Sequence, residues 1–402
     1  MIDLVLVQLP NPALASQMYN SLGIMYLASV VEQAGYSVEI ADLRHGDMEL
    51  PEAKFYGFSC TTPEINDAKK LAKQVKGKTI VGGAHPSLLP EDCVGGFDYV
   101  VVGEGEYPIL EIVECTPEAR DGLIYGSRIK NIDKIPYPAR HKVKNPYNDQ
   151  IFEGERYGKG ALTATLIATR GCPYNCAFCG NIYRSITSRS VENIIGEMKG
   201  IMADGVTHFK FMDDCFTLHP QFEKLCVAIE KLHISYIAHT RSDLMTREKA
   251  WLMAYSGCVQ SGLGIESADD YVLKLNNKGE STEDHLRAIR MLKEAGIHTK
   301  PYWMTGLPGE TDKTIELNKQ FMVDTQPDKW TISTFTPYPG CNIYNNPKDY
   351  GIEITEPDWS KWWNYVDKYN HVIIGQTQEE MYARYEDFFQ WLKGEKWKRK
   401  PH

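Results

Sequence analysis

Three cysteines give the sharpest chemical signal in the chain. The segment Arg170-Gly171-Cys172-Pro173-Tyr174-Asn175-Cys176-Ala177-Phe178-Cys179 spaces them as C-x3-C-x2-C. Thiolates are soft donors that suit zinc or iron–sulfur clusters. A structural zinc site closes with four ligands, usually as two C-x2-C-type pairs. No second pair lies nearby, and the nearest downstream histidine is His208. Three thiolates on one tight loop suit a cubane cluster with one iron left open to a reactant. A purely structural or zinc-binding trio is the competing reading. Ten cysteines in 402 residues are too sparse for a disulfide scaffold. Of the isolated ones, Cys93, Cys115, Cys215, Cys226 and Cys258 read as core or loop residues. Cys60 and Cys341 fall on loops expected to face ligand.

Such a loop needs a scaffold. Apolar residues make up 43% of the chain and charged residues 24%, with a net charge of −9. These values exclude a disordered tail or a collagen, and the acidic balance argues against a general nucleic-acid or membrane-surface binder. No apolar run is long enough to span a membrane, and with Asp3 interrupting the start and only Leu4–Val7 apolar, no secretory signal is expected. A cytoplasmic protein of two or three domains is expected.

The first 125 residues alternate short apolar strands with amphipathic helices. Strands are expected at Leu4–Val7, Val38–Ile40, Phe55–Phe58, Thr79–Val81 and Tyr99–Val102, with a helix over Leu22–Ala34. This is the pattern of an α/β doubly wound parallel sheet, Rossmann-like, whose ligands bind at the carboxyl ends of the strands. Residues 126–160, with Ile135-Pro136-Tyr137-Pro138 and Asn145-Pro146-Tyr147-Asn148, read as a linker. From Leu162 to residue 345 the alternation resumes six times. Strands are expected near Leu162–Thr169, His208–Met212, Ile234–Thr240, Ser261–Ile265, Lys300–Thr305 and Trp330–Thr336. Six units fit a partial (β/α)6 barrel, whose active site would lie on the face where the strands end. Residues 346–402 form a small, mainly helical extension with five of the eight tryptophans, and read as packing over an open barrel edge or as a lid.

At its cysteine loop the chain resembles the radical S-adenosylmethionine (SAM) superfamily, whose loop follows the first barrel strand and carries an aromatic residue before the third cysteine, here Phe178. The resemblance implies that Cys172, Cys176 and Cys179 hold a [4Fe-4S] cluster. Its open iron would chelate SAM, and one electron would split the sulfonium to a 5′-deoxyadenosyl radical. SAM contacts implied at the strand ends are Asp213 and Asp214 after the second strand and Arg241 after the third. Glu266 and Ser267 follow the fourth, Met304 and Gly306 the fifth, and Pro337 the sixth, with Phe178 beside the cluster. On local chemistry alone the aspartate pair also fits a helix cap, the Pro-Gly-Glu run a plain turn, and Glu266 with Arg241 a structural ion pair.

The first domain resembles the cobalamin-binding domain of cobalamin-dependent radical enzymes. The residues that carry this are Ser59, Thr61 and Thr62, then Gly82, Gly83, His85 and Pro86, then Gly103 and Glu104. Glycines let a backbone approach a bulky flat ligand. The cobalt-ligating motif Asp-x-His-x-x-Gly is absent; Asp42-Leu43-Arg44-His45-Gly46 places arginine at the histidine position. Base-off cobalamin without a histidine ligand is therefore expected. No Gly-x-Gly-x-x-Gly follows the first strand, which argues against NAD.

The reading is a cobalamin-dependent radical SAM methyltransferase acting on a substrate carbon. It would be supplied by an external one-electron donor of the flavodoxin or ferredoxin type and would act on a small molecule or peptide. A cyclase, oxidase or rearrangement enzyme using the same cofactors is the alternative, and a non-catalytic iron–sulfur or zinc sensor is the rival of another class. A methylthiotransferase is disfavoured, because the further N-terminal cysteines of that group are missing.

Overall fold

The computed structural model describes residues 1–12, 19–46, 49–115, 121–148, 161–364, 368–395 and 397–398. Two compact units divide the chain. Met1–Asn148 with Pro357–Trp363 form the first, and Asp149–Glu356 with Asn364–His402 the second.

In the first unit six strands make one parallel sheet: β1 (Ile2–Gln8), β2 (Val38–Asp42), β3 (Ala53–Ser59), β4 (Lys78–Gly82), β5 (Tyr99–Gly103) and β6 (Leu123–Gly126). Their order is β2-β1-β3-β4-β5-β6. Helices α1 (Leu22–Gln33), α2 (Ile65–Ala72), α3 (Ala84–Leu88) and α4 (Glu106–Val113) link successive strands. Both faces of the sheet are covered, so its strands are apolar on both sides. Leu4 and Leu6 of β1 pack with Ile24 and Ala28 of α1 and Ile109 of α4. Val5 and Val7 turn the other way, to Ile65 and Ala68 of α2. The order reverses between β1 and β3, the switch point at which such sheets open a crevice at the strand ends.

Residues 126–148, expected as linker, belong to the first unit. Ile129, Ile132, Ile135 and Ala139 are buried, and the Ala139 N–H donates to the Met25 carbonyl (3.0 Å). Past β6 this stretch holds only two short 3-10 turns, Ile132–Lys134 and Arg140–Lys142, but its isoleucines still need cover from water. The remainder of that expected linker, residues 149–160, lies outside the described residues.

The second unit starts with β7 (Thr163–Leu166) and a short antiparallel pair, β8 (Thr169–Arg170) and β9 (Thr187–Ser188), which brackets the cysteine loop. Strands β10 (His208–Phe211), β11 (Ser235–Thr240), β12 (Cys258–Glu266), β13 (His298–Thr305) and β14 (Thr331–Thr334) follow. With β7 they form a six-stranded parallel sheet in the order β14-β13-β12-β11-β10-β7, a partial barrel. Between them run α5 (Val191–Met202), α6 (Phe222–Glu230), α7 (Arg247–Tyr255), α8 (Asp270–Leu275), α9 (Thr282–Glu294) and α10 (Asp312–Thr325). Ser190 caps α5 by accepting from the Asn193 N–H, and Ser281 with Asp284 forms a capping box on α9. Phe209, Phe211, Tyr236 and Trp303 bury one face of the sheet, Trp303 against Phe321 of α10 (ring centroids 5.5 Å). The alternate residues line the inner face.

The C-terminal extension contains α11 (Asn342–Asn345), an antiparallel pair β15 (Ile352–Ile354) and β16 (His371–Ile373), and α12 (Gln378–Lys393). Phe388 of α12 lies on Trp303 (5.4 Å), so this helix does cover the barrel sheet. The tryptophans divide, however. Trp359 and Trp362 fall in the segment that returns to the first unit, where Trp359 packs edge-on to His85 (5.3 Å). The expectation of one tryptophan-rich cover over the barrel edge is corrected accordingly. Lys396, Arg399 and Lys400 of the basic tail lie outside the described residues. Among the described residues no helix is long and apolar enough to cross a membrane.

Candidate active site

The cysteine loop leaves the end of the first barrel strand and is pinned on several sides. Gly171 takes φ +91°, a conformation open to glycine, and turns the chain out of β8. The Cys172 N–H donates to the Tyr183 carbonyl (3.1 Å), and the Asn181 side chain donates to the Cys172 carbonyl (3.1 Å). The Ala177 N–H reaches the Asn276 carbonyl (2.8 Å), and Asn277 donates to the Asn175 carbonyl (2.7 Å). All three cysteines are free thiols; Cys176 is buried, and Cys172 and Cys179 are half-buried. Burial raises the Cys172 thiol and pushes Cys179 up to about 11. Such groups become thiolates when a metal binds, which is the form that ligates.

Arg241 supplies the nearby positive charge. Its guanidinium lies 3.5 Å from the centre of the Tyr174 ring and 3.9 Å from Cys176 Sγ. Burial disfavours its charge, but Glu280 and Asp243 outweigh that and hold it protonated. Lys278 Nζ bridges Glu266 (3.3 Å) and Glu280 (3.1 Å), while Arg241 is 3.6 Å from Glu280. In place of the alternative structural pair between Arg241 and Glu266 stands a chain of four charges. Glu266 sits at φ +62°, rare for a residue with a side chain, where the register of β12 against β13 shifts. Strain of this kind collects at functional sites. Gly264 leaves the space: a Cβ there would lie 2.6 Å from Glu266 Oε1.

The remaining sequence-predicted residues split into two groups. Phe178 joins the charged group, with Lys278 Nζ 5.9 Å from its ring centre. Met304 is half-buried at the end of β13, and Gly306 follows it at φ +82°. The Gly306 N–H donates to Glu310 (3.0 Å) and its carbonyl accepts from His371 Nε2 (2.9 Å). The Tyr369 ring closes beneath: a Cβ on Gly306 would meet Tyr369 Cε1 at 2.3 Å. Asp214 is exposed. Asp213 has turned inward, accepting from the Ala168 N–H (3.0 Å), the Thr169 N–H (2.6 Å) and the Thr169 hydroxyl (2.6 Å). It braces the strand that leads into the loop. Ser267 is buried and accepts from the Asp269 N–H (3.1 Å), a turn contact; Pro337 is buried after β14. Cys60 is buried in the core of the first unit, and Cys341 is buried in a cluster that includes Ala177 and Phe178 of the cysteine loop.

Sequence reasoning passed over Lys278, Glu280, Tyr369 and His371. Lys278 and Glu280 stand between two helices, away from any strand end, and no spacing marks them.

The first unit carries a cavity of about 160 Å³ between the sheet and helices α1 and α4. Ser59, Gly82, Gly83 and Gly103 line it, together with Gly23, Gly57 and Gly105 and the side chains of Leu6, Leu27 and Ile109. Six glycines at one cleft let a flat, bulky ligand approach the backbone, and this fits a cobalamin tail. The other expected contacts serve the scaffold. His85 is buried, with Nδ1 3.2 Å from the Thr62 hydroxyl and Nε2 3.0 Å from Asp92. Burial lowers its pKa. Thr61 closes a capping box with Glu64, Pro86 is buried in α3, and Glu104 pairs with Arg128 and accepts from the Ile129 N–H. Arg44, in place of the missing histidine, is tied to Asp42 (2.6 Å), Asn20 (2.9 Å) and the Tyr19 carbonyl (2.5 Å).

Comparison with known proteins agrees with this pairing of sites. Residues 166–322 match the model of the Radical SAM superfamily and residues 14–113 that of the B12 binding domain. The chain thus carries a radical SAM domain and a B12 binding domain together, the domain pair of cobalamin-dependent radical SAM enzymes. An uncharacterised methyltransferase of Pyrococcus horikoshii is 28% identical, over 92% of this chain and 87% of its own length. The anaerobic magnesium-protoporphyrin IX monomethyl ester cyclase of Rubrivivax gelatinosus is 26% identical, over 91% of this chain and 73% of its own. Among solved structures, the radical SAM methyltransferase TsrM from Kitasatospora setae, with cobalamin and a [4Fe-4S] cluster bound, has the same fold. It superposes with a TM-score of 0.71 at 16% identity, covering 97% of this chain and 89% of that one.

Proposed function

We propose that the chain is a radical SAM methyltransferase that places a methyl group on an unactivated substrate carbon. The observation that carries this reading is the coexistence of two sites: three free thiols on a pinned loop at the barrel's strand ends, and a glycine-lined cleft in a parallel sheet. The relationship to the Pyrococcus methyltransferase supports methyl transfer as the outcome.

Cys172, Cys176 and Cys179 would hold the [4Fe-4S] cluster. With both cofactors bound, the chemistry supplied is reductive cleavage of a sulfonium carbon–sulfur bond and carriage of a methyl group on cobalt. The chain's own residues bind, orient and shield. Arg241, fixed on Tyr174 and by Glu280, sets positive charge beside Cys176 and is placed to meet the SAM carboxylate. Lys278 holds Glu266 in its strained conformation, ready for the ribose or the methionyl group. Phe178, Asp214, Met304 and Gly306 would complete the SAM contacts, with the Gly306 backbone kept in position by Tyr369, His371 and Glu310. Asp213, Ser267 and Pro337 act one layer out, by holding the strand ends.

In the first unit Ser59, Gly82, Gly83 and Gly103 would take the cobalamin tail. Arg44 stands where a cobalt-ligating histidine would be and is engaged by Asp42 and Asn20, so this motif would supply no histidine to the cobalt. The electron would come from a flavodoxin- or ferredoxin-type donor.

The test is anaerobic reconstitution with SAM carrying a labelled methyl group, a reductant and candidate substrates. Methyl transfer gives a product heavier by one labelled CH₂ unit, with 5′-deoxyadenosine formed alongside. A product of altered oxidation level or ring count without the label favours the second reading, a cyclase, which the relationship to the Rubrivivax enzyme keeps in play. No 5′-deoxyadenosine from protein with an intact cluster would remove both.

A further inference from the structure

The cleft of the first unit changes in polarity with depth. Its lining falls in two rows on the face of the sheet that packs against α1 and α4. The outer row is Ser59, Gly82 and Gly103, the last residues of β3, β4 and β5. The inner row is Gly57, Ile80 and Val101. Each stands two residues before its outer neighbour, hence on the same face and about 6–7 Å deeper. Leu6 of β1 is in register with Gly57, and Gly57 with Ile80, so the inner row continues across four strands. Leu27 of α1 and Ile109 of α4 face it.

The two ends differ chemically. Among the described lining residues the polar side chains are Ser59, which ends β3, and Glu106, which opens α4 just past the end of β5. Both belong to the outer end. Backbone groups there are in part engaged already. The Gly82 carbonyl accepts from the Cys60 N–H (2.8 Å), and the Gly83 carbonyl from the Ser87 hydroxyl (2.7 Å). The Gly103 N–H donates to that same hydroxyl (3.0 Å). The inner end is hydrocarbon. Leu6, Ile80, Val101 and Ile109 are buried there, and the backbone between them lies within paired strands. Gly57 is what opens it. A Cβ on Gly57 would meet Leu6 Cδ2 at 2.9 Å and stand 4.0 Å from Ile109 Cδ1, filling the slot between the two.

We propose that the inner row seats the base of the corrinoid's nucleotide tail and selects among cobamides, taking an apolar base of the benzimidazole or phenol type and rejecting a purine. This rests on reading the cleft as the cobalamin site. An adenine brings an amino group and several ring nitrogens, which would exchange water for hydrocarbon with no partner to meet them. The methyl groups of a dimethylbenzimidazole gain from the same burial. The tail's sugar stays at the outer row, beside Ser59 and Glu106.

The test is anaerobic equilibrium dialysis of the full chain, loaded with iron–sulfur cluster and free of corrinoid, read by corrinoid absorbance. The probes are cobalamin, adeninylcobamide, p-cresolylcobamide and cobinamide, which has no base. Cobalamin and p-cresolylcobamide, whose base cannot ligate cobalt, are expected to bind about 10–100-fold tighter than adeninylcobamide. Gly57→Ala should bring cobalamin down to the level of cobinamide, whose own affinity stays unchanged. Val101→Thr keeps the shape of the inner row but adds a hydroxyl, and should narrow the preference for cobalamin over adeninylcobamide about fivefold. Equal affinity for those two cobamides overturns the proposal. So does a Gly57→Ala variant that still prefers cobalamin to cobinamide, or, should that variant not fold, a Val101→Thr variant with an unchanged preference. Binding of all four probes alike leaves the cobalamin reading standing and removes the base seat; binding of none removes both.

Discussion

Replacing Cys172, Cys176 or Cys179 by alanine removes one of three donors from a cluster that has no spare. Bound iron is expected to fall from about four per chain toward zero, and 5′-deoxyadenosine formation by more than about a hundredfold. Arg241→Gln tests the charge beside Cys176 separately from the ligands. Iron should be retained while SAM cleavage falls by about 10–100-fold, in line with groups that tune a metal site from outside its ligands. Glu310 gives a pH signature. Burial raises its carboxyl from 4.5 to about 7. Its folded pKa lies above its unfolded one, so the folded state binds the proton more tightly. Its contribution to stability is complete below the unfolded value and disappears as pH rises through about 7. The melting temperature of Glu310→Gln relative to the native chain should therefore climb between about pH 5 and pH 8. A constant difference across that range would show that Glu310 does not titrate there. At this scale the sequence declares the cysteines openly, because three soft donors within eight residues have few other uses. It conceals Lys278 and Glu280, which reach Arg241 and Glu266 only through the tertiary fold.

Among the elements, the turn after β4 separates ligand fit from backbone need within two adjacent residues. A Cβ on Gly82 would meet nothing nearer than Val101 at 3.6 Å, so a side chain there grows into the cleft without disturbing the sheet. Gly82→Val should lower bound cobalt sharply, read by metal analysis, with the melting temperature nearly unchanged. Gly83 sits at φ +101° with Cys60 O only 2.7 Å from its would-be Cβ. Gly83→Ala should cost about 1–3 kcal/mol of stability, measured by denaturant unfolding, before any effect on cobalt is seen. The strands of both sheets were legible, since apolar runs of four to eight residues between glycines mark buried parallel strands. So was the glycine-rich cleft, through Ser59, Gly82, Gly83 and Gly103. His85, Thr61, Thr62 and Glu104 share those motifs yet serve the scaffold, and motif membership alone does not say which way a side chain turns. Gly306 shows the opposite limit. Its turn is held by Tyr369 and His371, more than sixty positions further on, and no local pattern joins them.

For the molecule as a whole, the C-terminal extension is part of the barrel unit's core. Phe388→Ala removes the ring that lies on Trp303 and should cost about 3–5 kcal/mol. Hydrogen exchange should show the loss in β13 and α10, with the first unit's strands keeping their protection. Sequence periodicity placed the two α/β halves well, because each is built of contiguous strand–helix units. It divided the tail less well. Tryptophan content cannot tell which unit a tryptophan joins, and Trp359 joins the first, its Nε1 3.4 Å from Asp92.

That short return, Pro357–Trp363, governs the order in which the protein can be finished. The Trp359–Lys361 turn packs on α2, and Asp358 accepts from the Asn66 side chain (3.0 Å). A ribosome reaches these residues about 230 codons after it has completed β6. At ordinary elongation speeds the nascent first half therefore waits on the order of ten to forty seconds with one wall missing. During that interval the face of α2 next to His85 is bare, and a chaperone that holds nascent chains would find its footing there.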